Sequence, residues 1–448
     1  MKLKLPISLL IAATAPFAAQ ADHEKPASPA PPPPHMQNLP DDYKELLRKC
    51  LMAQDDRIDK LEENKQQPLL WVNSAICSFA LGRHLDRLNN YFASDAFDLK
   101  ATKKDVEIYG FRLFSTTFLR FYALYNSHTG VVKGLLSPVG EKKFEEYLWK
   151  NTGLCVKLSD TKRDPWDTHG SENGQVTNTI GNLIATQYLK DLPGYASRKF
   201  KDGSTAREQY DGWHAYLSRW LDERVKGGQF QEYGASYQDY TLSALVNLRD
   251  FAGDPVLRKK AEMFLDLAFA SLAEETLCIQ LGGPKSRSKG EDRTCKLYKV
   301  LCNAPGSALT EMEYVNNYIL ATSSYYPAQA VADLARDISG RGNYSFAKLA
   351  PARVVVGTNE LKNGLKNGLA EDEERSVWRK LDKDHPFVLN GFATSSYTMG
   401  SHGIDTTVTA EESRNQRWEG IVFANDPMAR IEIDGKNDEL GEKYISNP

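Results

Sequence analysis

The stretch TAREQYDGWHAYLSRWLDERVKGG, Thr205 to Gly228, decides the fold class. Thr205 and Glu208 stand at the spacing of a capping box, in which the threonine oxygen accepts from the backbone of the third helical residue and the glutamate reaches back to the cap. Tyr210, Trp213, Leu217, Trp220 and Leu221 then recur at three- and four-residue intervals, which places them on one face of a helix. Gly227-Gly228 ends the run. The same grammar repeats along the chain. Asp254 caps a helix with Pro255 at its first position, and Leu257, Ala261, Phe264, Leu265, Ala268 and Leu272 form its apolar stripe. Ser137-Pro138 opens another. From Pro40 to about residue 340 such blocks follow one another with short Gly, Pro or Asn breaks, so the fold class is mainly α. Helices joined by short turns pack as antiparallel hairpins, and ten or more of them commonly close into an α/α toroid, here an incomplete barrel expected over residues 41–345.

Past about residue 350 the period changes. Arg353 to Thr358, Phe387 to Met399 and Trp418 to Ile433 are rich in Val, Ile, Thr and aromatics with glycine turns between them, which predicts strands and hairpins. Residues 346–448 are therefore expected as a small C-terminal β-rich segment packed on the toroid, with the charged run Glu371 to Arg379 as a solvated surface stretch. At the other end, residues 22–40 include Pro31 to Pro34 and form an extended linker. Residues 1–21 have the pattern of a signal peptide: Lys2 and Lys4, an apolar run from Leu5 to Ala19, and Ala19-Gln20-Ala21 before the cut. Pro6 and Pro16 interrupt that run, which is too short to span a bilayer. A secreted, soluble protein is expected, periplasmic if the source is Gram-negative, with no membrane attachment after cleavage.

Of the 448 residues, 41% are hydrophobic and 26% charged, with a formal net charge of -3; a sizeable core can form, and the near-neutral balance argues against a nucleic-acid partner. Cys50, Cys77, Cys155, Cys278, Cys295 and Cys302 contain no Cys-x-x-Cys pair, so in an oxidising compartment they are expected to form disulfides, with a local bridge among Cys278, Cys295 and Cys302. No metal or cofactor is expected.

Four stretches carry the polar and aromatic side chains that chemistry requires. The first runs from Trp166 through His169, Ser171 and Glu172 to Asn173, where Ser171 caps a helix whose free N–H groups and dipole favour an anion. A capping box plugged by an aromatic explains it equally well. In the second, Glu232 to Thr241, the tyrosines Tyr233, Tyr237 and Tyr240 keep helical spacing and fit a buried stripe. Their neighbours Glu232, Ser236, Gln238 and Asp239 would be costly to bury unpaired and suit a sugar cleft. The third, Gly282-Gly283-Pro284-Lys285-Ser286-Arg287, continues to Tyr298 and suits a carboxylate site, since arginine grips a carboxylate with two parallel donors; a basic surface loop is the alternative. The fourth, Ser395 to His402 with Asn415 to Gly420, belongs to the β-rich part and is given no catalytic role.

The Gly-Ser-Glu-Asn stretch after Trp166, the Glu-Tyr-Gly stretch with spaced tyrosines, the Gly-Gly-Pro-Lys-Ser-Arg turn and the late Arg-Trp-Glu-Gly-Ile segment resemble secreted bacterial proteins similar to polysaccharide lyase family thirty-eight, over about residues 70 to 425. That family is an α/α toroid acting on uronic-acid polymers such as alginate or glucuronan. The resemblance implies β-elimination on an anionic polysaccharide, which needs the carboxylate neutralised, the C5 proton removed and the O4 oxygen protonated. It implies Asn173, Glu232 and Arg287 around the carboxylate and a tyrosine at the C5 proton, Tyr298 first and Tyr240 second. Trp166, His169, Glu172, Tyr237 and Lys285 are the substrate-binding candidates. Relatives often carry a histidine directly after Glu-Asn where this chain has Gly174, which leaves a histidine-based step unsupported; His169 and His214 are the other imidazoles considered, His214 lying within the amphipathic helix.

Two further classes fit the same residue types. A glycoside hydrolase would need two carboxylates across the bond, drawn from Glu172, Glu232 and Asp239, and a non-catalytic glycan-binding protein would need the aromatics and arginine alone. The signal-peptide reading has a direct consequence. Expressed in a host with a secretory route, the exported chain is expected to begin at Asp22, and amino-terminal sequencing that finds residues 1–21 retained on soluble intracellular protein would contradict it.

Overall fold

The computed structural model describes residues 36–63, 68–97, 111–154, 156–169, 171–231, 236–277, 280–283, 285–286, 295–301, 317–354, 378–403, 417–424 and 430–434. The helices among them are α1 Asp41–Asp55, α2 Ile58–Glu63, α3 Pro68–Leu81, α4 Leu85–Ala93, α5 Phe111–Tyr125, α6 Pro138–Asn151, α7 Glu172–Leu189, α8 Ala206–Lys226, α9 Ser236–Phe251, α10 Pro255–Glu275, α11 Lys296–Leu301, α12 Tyr318–Ala321 and α13 Gln329–Arg336. The strands are β1 Asp167–His169, β2 Thr276–Leu277, β3 Gln280–Leu281, β4 Lys285–Ser286, β5 Tyr344–Val354, β6 Trp378–Ala393, β7 Tyr397–Gly403, β8 Arg417–Phe423 and β9 Arg430–Asp434. The protein is thus mainly helical with a small β-sheet segment. No helix among the described residues is long and apolar enough to cross a membrane.

The caps form as their residue types dictate. Thr205 Oγ1 accepts from the Glu208 amide while the Glu208 carboxylate takes the Thr205 amide, closing the box at the start of α8. Asp254 accepts from Val256 N before Pro255 opens α10, Ser137 accepts from Gly140 N before α6, and Ser171 accepts from Gly174 N before α7. The stripe of α8 is buried at Trp213, Leu217, Trp220 and Leu221. Each such side chain withdrawn from water contributes about 1.5–3 kcal/mol, so packing rather than propensity holds the helix.

Cross-helix contacts fix the directions. Tyr122 near the end of α5 meets Tyr188 near the end of α7 with ring centroids 5.4 Å apart. Gln187 of α7 donates to Phe251 O at the end of α9, 2.9 Å. Asn247 Nδ2 donates to Thr116 O, and the buried Arg120 reaches Asn247 Oδ1 and Asp250 Oδ2, both at 2.9 Å. Helices α5, α7 and α9 pack side by side, so these pairings make them parallel, with α6 and α8 as the return helices. Phe79 of α3 lies 5.1 Å from both Phe121 and Tyr125, which adds α3 in the same sense. Packing passes from α3 to α5, α7, α9 and α12, and from α12 back to α3. Helix α7 is enclosed so fully that Gln175, Thr177, Thr179, Asn182 and Thr186 are buried too. Thr177, Thr179 and Thr186 satisfy their hydroxyls on carbonyls one turn back.

The main sheet has seven strands, ordered β1-β6-β7-β8-β4, with β5 paired to β6 and β9 to β8. All its pairings are antiparallel. Strand β5 runs along one edge of β6; on the opposite edge β7 takes Val388–Ala393 and β1 takes Trp378–Lys380. The helical half therefore contributes two strands, β1 and β4, to a sheet otherwise built from the C-terminal residues. Trp378 and Arg379, at the end of the charged run, open β6 against Thr168 and His169; the rest of Glu371 to Arg379 lies outside the described residues.

The disulfide expectation needs correction at Cys50, Cys77 and Cys295. Cys50, Cys77 and Cys295 are buried free thiols, and Cys295 Sγ donates to Asp239 Oδ1 at 2.8 Å instead of joining a local bridge. Cys155, Cys278 and Cys302 lie outside the described residues. Burial pushes the Cys50 thiol up to about 12, so it behaves as a small apolar side chain.

Helices α7 and α8 are tied by a buried ion pair next to the point where Trp166 meets β6. Arg224 of α8 and Glu172 of α7 are each 1% exposed, with Nη1 and Oε1 2.8 Å apart. The Glu172 carboxylate also accepts from Gln231 N through both oxygens, at 3.1 and 2.9 Å. The guanidinium carbon lies 4.7 Å from the Trp166 ring and 5.2 Å from the Trp220 ring. Gly227 makes room for Trp166: a Cβ there would meet its ring at 2.6 Å. Removing one partner leaves the other charge buried and uncompensated, so Glu172→Ala is expected to cost about 3–5 kcal/mol in denaturant unfolding, and Arg224→Ala similarly. A loss below about 1 kcal/mol, the range of surface pairs, would show that the contact is peripheral.

Candidate functional site

Because α7 and α9 run parallel, their N-terminal turns lie at the same end of the helical body, and three of the four sequence stretches converge on the sheet at that end. Trp166 O accepts from Leu381 N at 2.7 Å, and β1 then pairs with β6. Two residues later Ser171 caps α7, its hydroxyl also donating to Asn173 Oδ1 at 2.9 Å. The His169 amide donates to Gln175 Oε1 (3.3 Å), and Gln175 Nε2 donates to Tyr216 Oη (3.2 Å), which locks the entry of α7 onto α8.

The third and fourth stretches meet through β4 and β8, Lys285 opposite Trp418 and Ser286 opposite Arg417. Gly282 donates its amide to Glu275 O at 3.0 Å. A Cβ at Gly282 would meet Thr398 O of β7 at 2.6 Å, so only glycine lets this backbone lie against β7. The second stretch enters at the N-terminal turn of α9. Asp239 Oδ1 accepts from Cys295 Sγ (2.8 Å) and from Leu297 N (3.2 Å), so it holds the start of α11, the helix that carries Tyr298.

The expected site residues separate by exposure. His169, Tyr237 and Tyr240 are half-buried and accessible. Trp166, Glu172, Asn173 and Tyr298 are buried, at 2%, 1%, 0% and 1% exposure. Glu172, expected to touch substrate, is committed to Arg224 and Gln231 N. Trp166 packs over that same guanidinium instead of presenting a face to a sugar. Asn173 fixes the cap through Ser171. Tyr298 lies parallel to Phe269, centroids 6.4 Å apart at 19°. Lys285 is placed by its backbone in β4; its side chain, and Glu232 and Arg287 altogether, lie outside the described residues. Gln175, Tyr216 and Arg224 belong to none of the motifs that the sequence presents, yet they build this end of the molecule. Tyr216, Trp220 and Arg224 do follow the four-residue spacing of the buried face of α8, which was the available signal for Arg224.

The electrostatics follow from enclosure. Burial raises the Asp239 carboxyl above its ordinary range, opposed by the Cys295 thiol and the backbone amides of Lys296 and Leu297. Burial pushes the Tyr216 phenol up to about 12, although the Gln175 amide works against it. Asp167 in β1 is raised by burial and then by Asp164. Against these, the dipoles of the parallel helices add positive potential at their first turns.

The opposite end of the same helices holds a cleft of about 560 Å³ lined by Arg249, Asp250, Arg258, Lys259, Glu262 and Ser324 among others. Its cations are largely neutralised: Arg249 pairs with Asp250 (3.0 Å) and Glu262 (3.2 Å), and Lys259 with Glu262 (2.6 Å).

Compared with protein-family models, with curated proteins and with solved structures, the chain matches none.

Asp239 generates a pH prediction. A raised carboxyl pKa means that the folded chain holds its proton more tightly than the unfolded one, a stabilisation fully present below the ordinary carboxylate value and lost as pH rises through the raised one. Asp239→Asn keeps an oxygen for Cys295 and Leu297 and has nothing to ionise. Its melting temperature relative to the parent chain is therefore expected to increase across the acid-to-neutral range in a calorimetric pH series; a constant or falling difference would contradict this account of the buried carboxyl.

Proposed function

We propose that this chain is a secreted polysaccharide lyase on an α/α toroid, cleaving a uronic-acid polymer of the alginate or glucuronan type by β-elimination. The observation that carries the reading is the convergence of helix N-termini with β1, β4, β7 and β8 at one end of the molecule. Helix N-termini favour carboxylates, and a strand-rich cover leaves half-buried tyrosines at the edge of that region. The packing circuit from α3 through α5, α7, α9 and α12 back to α3 supports the toroid.

Tyr240 takes the role of proton-transfer group in this scheme. It is half-buried on the first turns of α9, whereas the Tyr298 ring is enclosed against Phe269. Once the uronate carboxylate is neutralised at the helix ends, with Arg287 and Glu232 proposed beside it, the C5 proton becomes acidic enough for a phenolate to remove, and a phenol returns a proton to O4. Asn173 acts through Ser171 as a positioning residue, and His169 and Tyr237 line the approach.

One observation favours elimination over hydrolysis. Of the three carboxylates that a hydrolase would draw on, Glu172 is held by Arg224 and Gln231 N and Asp239 by Cys295 and Leu297 N, so neither faces a glycosidic bond. The test is a panel of uronic-acid polysaccharides followed by the ultraviolet absorbance of the unsaturated uronate, which hydrolysis and binding do not produce. On the polymer that is cut, Tyr240→Phe is expected to lower turnover about 10²-fold or more with binding largely kept, and Tyr298→Phe far less. Loss of activity in Tyr298→Phe alone would return the base to that residue; reducing ends formed without unsaturated product would replace the lyase reading with the hydrolase.

A further inference from the structure

A second cluster of reactive side chains lies away from the sheet, where the loop after α5 meets α6, and it does not depend on the lyase reading. Glu141 and Glu145 stand one turn apart on α6, on the same helix face, and are 5% and 7% exposed. His128 comes from the loop between the two helices, and its Nε2 lies 3.7 Å from Glu141 Oε1. One ligand atom from each of the three residues lies within 4.8 Å of the other two.

We propose that His128, Glu141 and Glu145 form a binding site for one divalent transition-metal ion of the zinc type, which fastens the loop after α5 to α6.

Two carboxylates this close and this dry repel each other unless a cation lies between them. Among the described residues Lys142 lies 3.2 Å from Glu145, but its side chain is 58% exposed and its ammonium also lies 4.4 Å from the Tyr195 ring. The loop is already shaped to hold an imidazole in place. Asn126 Oδ1 accepts from the amides of His128, Thr129 and Gly130, at 3.0, 2.7 and 3.1 Å. Ser127 donates its amide and hydroxyl to Glu141, which orients that carboxylate as an outer shell does for a metal ligand. His128 is 55% exposed, so an ion has an open approach. Zinc ligands sit about 2.0–2.2 Å from the metal, so binding has to draw the three atoms closer together, and the exposed imidazole is the ligand with room to turn inward. One nitrogen and two carboxylate oxygens select zinc-type ions over calcium and magnesium, which take oxygen alone.

The experiment is equilibrium dialysis of the untagged full-length chain against Zn2+, with the metal counted by mass spectrometry and the melting temperature recorded in parallel, and with Ca2+ as comparator. The expected result is one Zn2+ per chain, a higher melting temperature with zinc, and weaker binding by about tenfold or more in His128→Ala and in Glu145→Gln. His128 is exposed, so its variant should melt like the parent without metal, which separates lost binding from lost folding. No uptake by the parent chain, zinc binding unchanged in His128→Ala, or equal binding of Ca2+ that ignores His128 would each overturn the proposal.

Discussion

The contact on which the rest of the structure depends is the buried pair of Glu172 and Arg224, enclosed by Trp166 and Trp220. It joins four segments at one point. Glu172 begins α7 and Arg224 ends α8; Gln231, which donates to the same carboxylate, leads towards α9; and Trp166 delivers its carbonyl to β6 just before β1. A charge pair is an expensive way to fill a core, since both ions surrender their hydration. Here the surrender is offset by two donors, Arg224 Nη1 and Gln231 N, converging on Glu172 and by aromatic faces on the guanidinium. An apolar replacement of similar volume could match the stability, but it would not fix the direction in which Trp166, the start of α7 and the segment before α9 approach one another.

From that point the molecule acquires two unlike ends. Parallel packing of α5, α7 and α9 places their positive ends together and their negative ends together. The sheet covers the positive end through β1 and β4, and the half-buried tyrosines lie there. At the negative end the helices terminate in a network of paired charges, Arg120 with Asp250 and Arg249 with Asp250 and Glu262, and the His128 cluster lies among the loops on that side. The N-terminal turns of α5, α7 and α9 thus add positive potential at the end that the sheet covers.

Much of the helical part was legible because its signals are local. The box at Thr205 and Glu208, the Asp254-Pro255 start and the Ser171 cap each depend on residues within one turn, and each forms. What stayed hidden depends on distant partners. Strands β1 and β4 are three and two residues long, too short to show a period, and exist because β6 and β8 pair with them. The start of β6, Trp378-Arg379, falls within the charged run Glu371 to Arg379 and shows no strand period, yet ladder hydrogen bonds do not depend on side-chain polarity. The site was legible as a set of stretches but not as a set of roles. Glu172 and Asp239 look like catalytic carboxylates until Arg224 and Cys295 are found beside them, from 52 and 56 residues away. The same distance explains Cys295, whose thiol partner is a carboxylate rather than another sulfur.

The central claim is that the end where α7 and α9 begin is the working end. Hydrogen–deuterium exchange of the intact chain, with and without a uronic-acid oligosaccharide, tests it most directly, because backbone amides report where a ligand lies without requiring turnover. The account predicts slower exchange in peptides covering residues 167–175 and 236–241 when the oligosaccharide is added, with the Arg249–Glu262 cleft unchanged. Protection confined to that cleft, with no change at the first turns of α7 and α9, would contradict it.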